Sequence, residues 1–412
     1  MNVLNIVNDF VNTKEFLLYL ISLVLSTLLI GYAPSSIAFV LFVFCSLRYA
    51  YINKLKFQFD YALALPVLMY LFFVLSFFWT VDKEQTLKGL ERTVSLALIP
   101  LVFMILPKIG LKEHKIILNS FTISNFFLGV FFLIVAIFNF ANTKSISVFT
   151  YHELVDVFEL NAIYVSLVFS VSLFYLISLN HRTILQNAMI VFFIVFIFLL
   201  SSKTILLVVC IGFVVYLIYF KISKISKNKI ALLTFLTITI ISVSSITLWE
   251  RFLFEKKSSP NEVFEKVKFG KVYPWTGTSI RLMQLRILKE QIKDESIFFK
   301  GFGLFASKNN LVKRHEEFDT YFKFHDYNYH NQYAQMLSEM GIFGLILLMI
   351  ILINIWRKAL KTKNFLFLMF AVMITFVFFT ESVLWRQRGL FLFIIFYALI
   401  ISFSNKTQTL AS

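Results

Sequence analysis

One histidine and a few scattered cations are the side chains in this sequence that could do chemistry together. His330 stands in the stretch from Tyr329 to Leu345, YHNQYAQMLSEMGIFGL, which leads into an apolar run. Asp326 or Asn328 could cap a helix there, and the positive end of that helix would keep the imidazole neutral at pH 7 and able to accept a proton. An interfacial histidine bonded to a neighbour is the plainer alternative.

Glycines near this histidine predict close backbone contacts. Gly341 and Gly344 share a helical face with His330, and small residues on one face let another helix approach closely. Gly301 and Gly303, in KGFGLF, predict a turn upstream of that helix. We therefore expect the histidine where a tight helix seam meets the membrane surface.

A second candidate, Arg281, lies near the start of an amphipathic helix. The segment from Thr278 to Asp294 opens with Thr278 or Ser279 as an N-cap. Arg281 then heads an apolar stripe with helical spacing. The other members of that stripe are Leu285, Leu288 and Ile292. The arginine is thus aimed at the protein body or the membrane, either as an anion ligand or as a snorkelling side chain whose stem covers apolar surface.

Three further cations occupy short turns between apolar runs. Lys203 lies in SSKTILL, and ionisable residues at membrane depth are costly and often functional. Arg386 and Arg388 lie in ESVLWRQRG, with Glu381 available as a partner. The simplest explanation of these two arginines is an ion pair that flanks a short hairpin.

The composition excludes a water-soluble globule. Apolar residues make up 59% of the 412 residues and charged residues only 15%, whereas soluble domains carry about 25% charged residues. The 52 phenylalanines are expected where side chains face lipid on one side and helix neighbours on the other. The net charge of +16 is spread in short blocks between apolar runs, so it does not indicate nucleic-acid binding.

The chain contains about twelve apolar stretches that meet or approach the roughly 20 residues a helix needs to cross a bilayer. They are 16–32, 36–52, 60–79, 92–107, 115–140, 160–179, 184–200, 203–220, 229–249, 338–356, 364–381 and 388–404. Backbone polar groups in lipid must be satisfied within each segment, so the expected fold is all-α with about twelve transmembrane helices. The first stretch is too long for a cleaved signal peptide, and we expect it to be retained.

The distribution of charge sets the expected orientation. With the N-terminus inside, short loops assigned to the cytoplasm carry more lysine and arginine than short loops assigned outside, as the positive-inside rule requires. The hydrophilic segment 250–337 then lies outside, and its helical periodicity predicts one large folded periplasmic loop. Residues 1–249 would hold nine transmembrane helices, and residues 338–412 would hold three more and a short tail. Both termini are expected in the cytoplasm.

The candidate side chains converge on one face of the membrane. Lys203, Arg281, His330 and Arg386 come from four places in the chain, and the topology assigns all of them to the outer face. Arginine forks suit phosphate oxygens, and a neutral histidine near an acceptor hydroxyl can act as a general base. Because no nucleotide sugars are supplied outside the cell, a glycosyl donor must arrive there activated on a lipid, and a lipid diphosphate is a good leaving group.

The sequence lacks the signatures of other catalytic classes. It has no P-loop, Rossmann fingerprint, GxSxG, HExxH or CxxC. His315, Glu316, Glu317, Asp319 and His325 could ligate a cation, but a solvated loop explains their generic spacing better. No cofactor and no metal are expected.

These features resemble the O-antigen ligase and O-antigen polymerase superfamily of membrane glycosyltransferases. In architecture the resemblance covers most of the chain. Its motifs are SIR at 279–281, GFG at 301–303 and HNQYAQMLSEMGIFGL at 330–345, of which the last is the most specific. ERTVSLALIPL at 91–101 and ESVLWRQRGLF at 381–391 resemble bacteroidete-type members.

The resemblance implies a metal-independent, inverting transfer of a glycan from undecaprenyl diphosphate to a sugar hydroxyl. His330 would be the base that activates the acceptor, and Arg281 would hold the diphosphate. Lys203 stands where the family usually has a second arginine, so the charge is kept but the bidentate fork is lost. The predicted supporting residues are Asn331, Glu339, Arg386 and Arg388.

The sequence therefore predicts an inner-membrane ligase, surrounded by membrane lipid, that transfers O-antigen from undecaprenyl diphosphate to the lipid A–core oligosaccharide or another glycan acceptor. A repeat-unit polymerase or a protein O-oligosaccharyltransferase would use the same residues. The alternative from another class is a transporter or flippase for a lipid-linked solute. That class predicts mid-membrane charges and an internal repeat, whereas these cations lie at the outer rim and no repeat is found. Nucleic acid is not an expected partner.

Overall fold

The structure is a computed structural model that describes residues 11–218, 261–270, 275 and 277–404. Its α-helices are α1 (Lys14–Thr27), α2 (Tyr32–Ile52), α3 (Tyr61–Leu75), α4 (Lys83–Thr93), α5 (Ser95–Ile105), α6 (Leu111–Thr143), α7 (Ala162–Ser178), α8 (Ile184–Leu199), α9 (Lys203–Tyr216), α10 (Glu262–Glu265), α11 (Gly277–Asp294), α12 (Lys308–Glu317), α13 (Gln332–Thr362), α14 (Phe365–Val377) and α15 (Gln387–Ser402). Within the described ranges the only strand-like feature is a single bridge between Ile109 and Phe403. The predicted all-α class is confirmed for these residues.

Side-chain caps fix where several of the helices begin. Asp60, Asn161, Thr183 and Asn364 each accept a hydrogen bond from a backbone N–H in the first turn of α3, α7, α8 and α14. The first N–H groups of a helix have no partner within the helix, and leaving them unpaired in an apolar medium is costly. These polar residues therefore stabilise the starts of long apolar segments.

Helix packing sorts the helix ends into two groups. Tyr216, at the end of α9, and Phe174, near the end of α7, both contact Phe365 at the start of α14, with ring centroids 5.4 and 6.0 Å away. Both helices therefore run antiparallel to α14, and their starts lie beside its last turn. The Gln332 N–H bonds to the chain just after that turn. We call this the His330 end of the bundle.

The first and last described helices meet at the other end, which we call the opposite end. Lys14, at the start of α1, pairs with Glu113 in the first turn of α6, with Nζ and Oε1 2.7 Å apart. Ile109, just before α6, forms its bridge with Phe403 after α15. The start of α1 and the end of α15 therefore lie at the same end of the bundle. That the two termini lie in the cytoplasm stays a prediction.

Four helices are long and apolar enough to cross a membrane: α2, α3 with its 3-10 extension to Phe78, α6 and α13. Five apolar helices of 10–17 residues, α7, α8, α9, α14 and α15, are shorter. The structure thus supports a membrane protein, whereas the predicted number of twelve spans is not confirmed. The predicted span 229–249 lies outside the described residues.

The predicted fourth span, 92–107, is not one helix. The chain forms a polar helix, α4, capped by the Asp82 side chain, and then an apolar helix, α5, with Val94 between them. Charged residues repeat through α4, and such side chains are costly in hydrocarbon. Arg92 therefore belongs to a polar helix at the His330 end rather than to a span.

The predicted large loop is folded in its described part. α10, α11 and α12 pack around an apolar core of their own that includes Met283, Ile287, Leu311 and Tyr329. This core is separate from the one between the long apolar helices. The segment therefore forms a helical layer at the His330 end rather than an extended loop.

The predicted amphipathic helix is confirmed as α11, and its predicted apolar stripe is confirmed in part, since Leu288 is buried and Ile292 packs against the core. The helix begins at Gly277, so Thr278 and Ser279 lie in its first turn rather than before it. Its buried apolar residues are Ile280, Met283, Ile287 and Leu288. Leu285, by contrast, is 39% exposed. The buried face of α11 is rotated from the predicted one. Arg281 makes polar contacts outside the core, and the residues next to it in the helix enter the core instead.

The predicted boundary between the large loop and the tenth span, at 337/338, falls inside α13. This helix continues from the outer layer into the apolar bundle and is interrupted only at Gly341, where φ is 64° and ψ is −165°. Such a conformation is open almost exclusively to glycine. The kink frees backbone groups on both sides, which need other partners.

The loop after α11 supplies those partners. Phe302 N donates to Ser338 O at 2.9 Å, and Ile342 N donates to Phe298 O at 2.7 Å. A Cβ on Gly341 would lie 2.2 Å from Phe299 O. The predicted close approach at Gly341 is therefore real, but its partner is loop backbone and not another helix. The predicted turn is confirmed, since Gly301 and Gly303 both have positive φ.

Candidate active site

A largely buried, irregular segment, 378–386, with one short 3-10 turn at Val383–Trp385, connects α14 to α15 and forms one wall of the site. Gln332, the first residue of α13, holds it in place. Its N–H donates to Phe378 O at 2.7 Å, and its side-chain Oε1 accepts from Leu384 N at 2.7 Å. Non-helical backbone at membrane depth is tolerated only when protein partners satisfy it. The polar start of α13 thus fixes the position of Glu381 in this segment.

His330 lies two residues before α13 in a left-handed conformation, with φ of 46°. Its N–H donates to Asn328 Oδ1 at 2.9 Å, and the Tyr327 ring packs against the imidazole nearly at a right angle, 5.0 Å between centroids. The predicted caps, Asp326 and Asn328, were wrong. Asn331 caps α13, because its Oδ1 accepts from the third residue of the helix at 2.9 Å.

Glu381 links the two main candidates from the sequence. Its Oε2 lies 3.4 Å from His330 Nδ1, and its Oε1 lies 3.0 Å from Arg281 Nη2. Burial alone would raise the pKa of Glu381, but hydrogen bonding and charge from His330 and Arg281 lower it below its ordinary value. The carboxylate is therefore ionised at neutral pH.

The ionised carboxylate sets the roles of the two imidazole nitrogens. A carboxylate can only accept hydrogen bonds, so Nδ1 of His330 must carry the hydrogen it shares with Glu381. In the neutral ring Nε2 is then the acceptor, and no hydrogen-bond partner for it occurs among the described residues. The distance of 3.4 Å is long, as is common for catalytic pairs without substrate. This arrangement suits a general base.

Arg281 uses most of its N–H donors in hydrogen bonds to other residues of the protein. Its Nε donates to Thr380 O at 2.9 Å, its Nη1 to Gly277 O at 2.9 Å and its Nη2 to Glu381. The side chain is 28% exposed, and it contacts polar groups rather than covering an apolar surface. A guanidinium has five N–H donors, so two remain for an anion.

Glu339 supports the site from below and does not line the cavity beside His330. Its Oε1 accepts hydrogen bonds from Gln335 Nε2 at 2.6 Å, Trp385 Nε1 at 3.1 Å and Ser307 Oγ at 3.2 Å. The Glu339 side chain thereby ties α13 both to the loop after α11 and to the irregular segment. Its observed contacts are structural.

A cavity of about 190 Å³ opens beside His330. It is lined by Tyr32, Glu159, Asn161, Tyr164, Asn328, His330, Glu381, Arg386 and Arg388. Sequence reasoning missed Tyr32, Glu159, Asn161 and Tyr164 as site residues. They come from the start of α2, from the α6–α7 connection and from α7, and no spacing in the sequence relates them to His330.

The two arginines of the 381–391 stretch belong to this cavity. The expected ion pair with Glu381 is replaced by the pairs of Glu381 with His330 and Arg281. Arg388 lies over the Tyr32 ring, 4.4 Å from its centroid, while Arg386 lies 5.8 Å from the centroid of the neighbouring Trp385 ring. Both guanidinium groups line the cavity.

Lys203 is at the correct end of the bundle but is not among the residues that line the cavity. It is the first residue of α9, and the antiparallel packing of α9 on α14 places it at the His330 end. The structure thus brings His330, Arg281, Arg386 and Arg388 together around Glu381, with Lys203 outside that group.

A larger cavity, of about 420 Å³, lies at the opposite end. Leu111, Ser178, Tyr216 and Phe365, all at helix ends on that side, contribute to its lining. We place the candidate site in the smaller cavity because only there do a histidine, a paired carboxylate and two arginines meet. The larger cavity lacks a carboxylate to pair with its histidines.

The cation site considered for His315 and its neighbours is not formed. His315 is buried, with Nε2 3.1 Å from Gln284 Nε2 and Nδ1 3.0 Å from Thr320 Oγ1. Burial, and next the charge of His325, lower the pKa of His315 to about 3, so it is a neutral core residue. Across the described ranges no three His, Cys, Asp or Glu side chains gather as a metal site requires.

Comparison with known proteins agrees with the resemblance seen in the sequence. Residues 188–349 match the family model described as O-antigen ligase. This confirms the resemblance to the O-antigen ligase and polymerase superfamily. Lys203, Arg281 and His330 lie inside the match, whereas Glu381 and the arginines at 386 and 388 lie beyond it. A search of curated proteins gives no match.

Proposed function

We propose, from the match of residues 188–349 to O-antigen ligases, that this protein transfers O-antigen from undecaprenyl diphosphate to the lipid A–core oligosaccharide. The observation that carries the proposal is the contact of His330 with the buried carboxylate of Glu381, beside a cavity lined by arginines. That arrangement suits an acceptor hydroxyl next to an anionic leaving group. The proposal places the site on the periplasmic face of the inner membrane, with both termini in the cytoplasm.

In the proposed reaction His330 Nε2 accepts the proton of the acceptor hydroxyl as its oxygen attacks the anomeric carbon of the donor sugar. The bond between that carbon and the phosphate oxygen breaks, and undecaprenyl diphosphate leaves with the electron pair. Attack opposite the leaving group inverts the anomeric configuration. Glu381 stays ionised, orients the imidazole and stabilises the imidazolium that forms, as a buried carboxylate does beside a catalytic histidine.

Cations at the same end would hold the leaving group. Two N–H groups of Arg281 have no acceptor among the described residues, and Lys203 lies at the same end of the bundle, at the start of α9. Positive groups aimed at the diphosphate act most strongly on the charge that develops as the glycosidic bond breaks. Asn331 and Glu339 contribute by fixing the start of α13 and the segment that carries Glu381.

The proposal is tested by replacing His330 with Gln in the native host and separating the lipopolysaccharide on a gel. We expect the O-antigen ladder to vanish and polymeric lipid-linked glycan to accumulate. A product with a single repeat would identify a polymerase instead, and an unchanged ladder would remove His330 from the mechanism. His181→Gln is a matched control, because His181 is an exposed histidine at the opposite end of the bundle.

A further inference from the structure

We propose that Arg386 and Arg388 form the principal anion-binding wall of the active-site cavity and take the diphosphate of the lipid-linked donor. Arg281, in this arrangement, acts mainly through Glu381. The inference rests on the proposed function and assigns residues beyond the segment that matches the family, 188–349.

The hydrogen-bond inventory of the arginines carries the assignment. Among the described residues, the Arg386 guanidinium donates to no protein acceptor, and Arg388 uses only its Nε, which donates to Leu28 O at 3.1 Å. Arg281, in contrast, uses three of its five N–H donors in hydrogen bonds to protein acceptors. Guanidinium groups that face a cavity with most of their N–H donors unused are suited to bind phosphate oxygens.

Arg388 is held in place before any ligand arrives, and Arg386 lies beside an anchored ring. Arg388 is fixed by the Leu28 carbonyl and by its position over the Tyr32 ring. Arg386 lies beside Trp385, whose ring stacks on Phe305 with centroids 4.7 Å apart. The Trp385 indole N–H also donates a hydrogen bond to the buried Glu339 side chain. At Arg388 an anion would therefore bind to donors whose conformational freedom is already reduced.

The charge around the cavity is positive where the anion would lie. Of the two lining carboxylates, Glu381 is already paired with Arg281 and His330, which leaves Glu159 alone against two guanidinium groups. Arg92, from α4, adds a third positive charge nearby. Burial, and next the like charge of Arg386, lower the pKa of Arg92, as expected for cations that lack a compensating anion.

The size of the cavity favours a headgroup over a glycan. At about 190 Å³ it is smaller than the roughly 300–1,000 Å³ of pockets that enclose drug-sized ligands. A diphosphate with the adjoining part of its sugar fits this scale, and a polysaccharide would have to extend outside. Because His330 lines the same cavity, the leaving group would lie beside the base that activates the acceptor.

The shared chemistry is a phosphate anion, which could come from a lipid-linked donor, a phospholipid headgroup or free pyrophosphate. The binding experiment therefore uses the purified full-length protein in nanodiscs of neutral lipid. The three probes are undecaprenyl diphosphate, phosphatidylglycerol and inorganic pyrophosphate. We expect undecaprenyl diphosphate to bind most tightly and pyrophosphate to compete with it. Tighter binding of phosphatidylglycerol than of undecaprenyl diphosphate would overturn the donor assignment.

Substitutions test the arginines directly. Arg386→Gln and Arg388→Gln should each weaken undecaprenyl diphosphate binding by about 10-fold or more, the effect of losing a hydrogen bond between charged groups. Arg281→Gln should weaken binding less while reducing transfer strongly. Lys88→Gln, which removes one positive charge from the exposed face of α4, should bind as the wild type does. Arg386→Lys keeps the charge without the fork and should bind with intermediate affinity.

The result that overturns the inference is wild-type binding by both Gln variants, or a larger loss of binding in Arg281→Gln than in either. Thermal unfolding of each variant identifies losses that come from misfolding. Because Arg386 makes no hydrogen bond through its guanidinium in the described structure, Arg386→Gln should keep the wild-type unfolding temperature. His330→Gln separates the two proposals: it should bind undecaprenyl diphosphate normally and lose transfer. If it transfers normally, the proposed function fails whatever the arginines bind.

Discussion

Replacing Glu381 with Gln tests whether the buried carboxylate orients and supports His330. The substitution keeps the size of the side chain and removes its charge. In the wild type, Glu381 Oε2 lies 3.4 Å from His330 Nδ1. The Glu381 side chain is only 6% exposed, so solvent screens this interaction weakly. A hydrogen bond to a charged group contributes about 1.5–3 kcal/mol, which corresponds to about a 10–150-fold loss of kcat.

The sign of the pH effect follows from the same contact. The pKa of Glu381 is lowered, so its carboxylate stays ionised until the pH falls below the ordinary carboxyl value. The rate advantage of the wild type over Glu381→Gln should therefore be present above that value and shrink as the pH falls through the lowered pKa of Glu381. A purely structural role would lower the rate by the same factor at every pH. The measurement is transfer of lipid-linked O-antigen to lipid A–core by the purified protein across a pH series.

The stability of the folded protein in acid tests the role of the Glu381 carboxylate independently of the transfer rate. Since the folded-state pKa of Glu381 is lowered, its contribution to stability is present above the ordinary carboxyl value and is lost as pH falls through the lowered value. Glu381→Gln should therefore show a flatter dependence of unfolding temperature on pH in this range. Glu84→Gln is the matched control, because Glu84 forms an exposed pair with Lys88. A wild-type rate and wild-type profile in Glu381→Gln would refute the reasoning.

Three further predictions concern the kink, the lysine and metal dependence. Gly341→Ala should destabilise the protein by more than about 3 kcal/mol, because a Cβ there would lie 2.2 Å from a carbonyl oxygen. Gly270→Ala, with positive φ but open space, should cost about 1–2 kcal/mol in the same thermal unfolding assay. Lys203→Gln should raise the donor KM less than Arg386→Gln does, since Lys203 does not line the cavity; an equal effect would place it at the diphosphate. Incubation with EDTA should leave the transfer rate unchanged, and a loss that Mg²⁺ restores would contradict the metal-free mechanism.

The sequence singles out Arg281 in α11 and His330 just before α13 as candidates, and their chemical roles stay predictions. Arg281 and His330 are close to the same carboxylate, although neither motif contains it. Periodicity also predicted α11, while its buried face depended on the contact of Arg281 with Thr380, which lies 99 positions along the chain. A local pattern cannot report such a contact.

Glu381 shows most directly what a local sequence pattern cannot predict. The sequence favours the two nearby arginines as its partners, because residues close in sequence commonly form ion pairs. The chain instead turns in the irregular segment, and the carboxylate points to His330, which lies 51 positions away. The segment contains only one short 3-10 turn, Val383–Trp385, so tertiary hydrogen bonds such as those of Gln332 and Arg281 define where its side chains lie.

The site lies where two helices stop. α14 ends at Val377 and α15 begins at Gln387, so the chain between them has backbone groups that no helix satisfies. Side chains from α13 and α11 satisfy several of them, and Arg281 does so through Thr380 O while it also pairs with Glu381. A residue that helps stabilise the irregular backbone thereby also sets the charge state of the carboxylate beside His330. Stability and chemistry are coupled at this point of the chain, and substitutions at Arg281 should affect both.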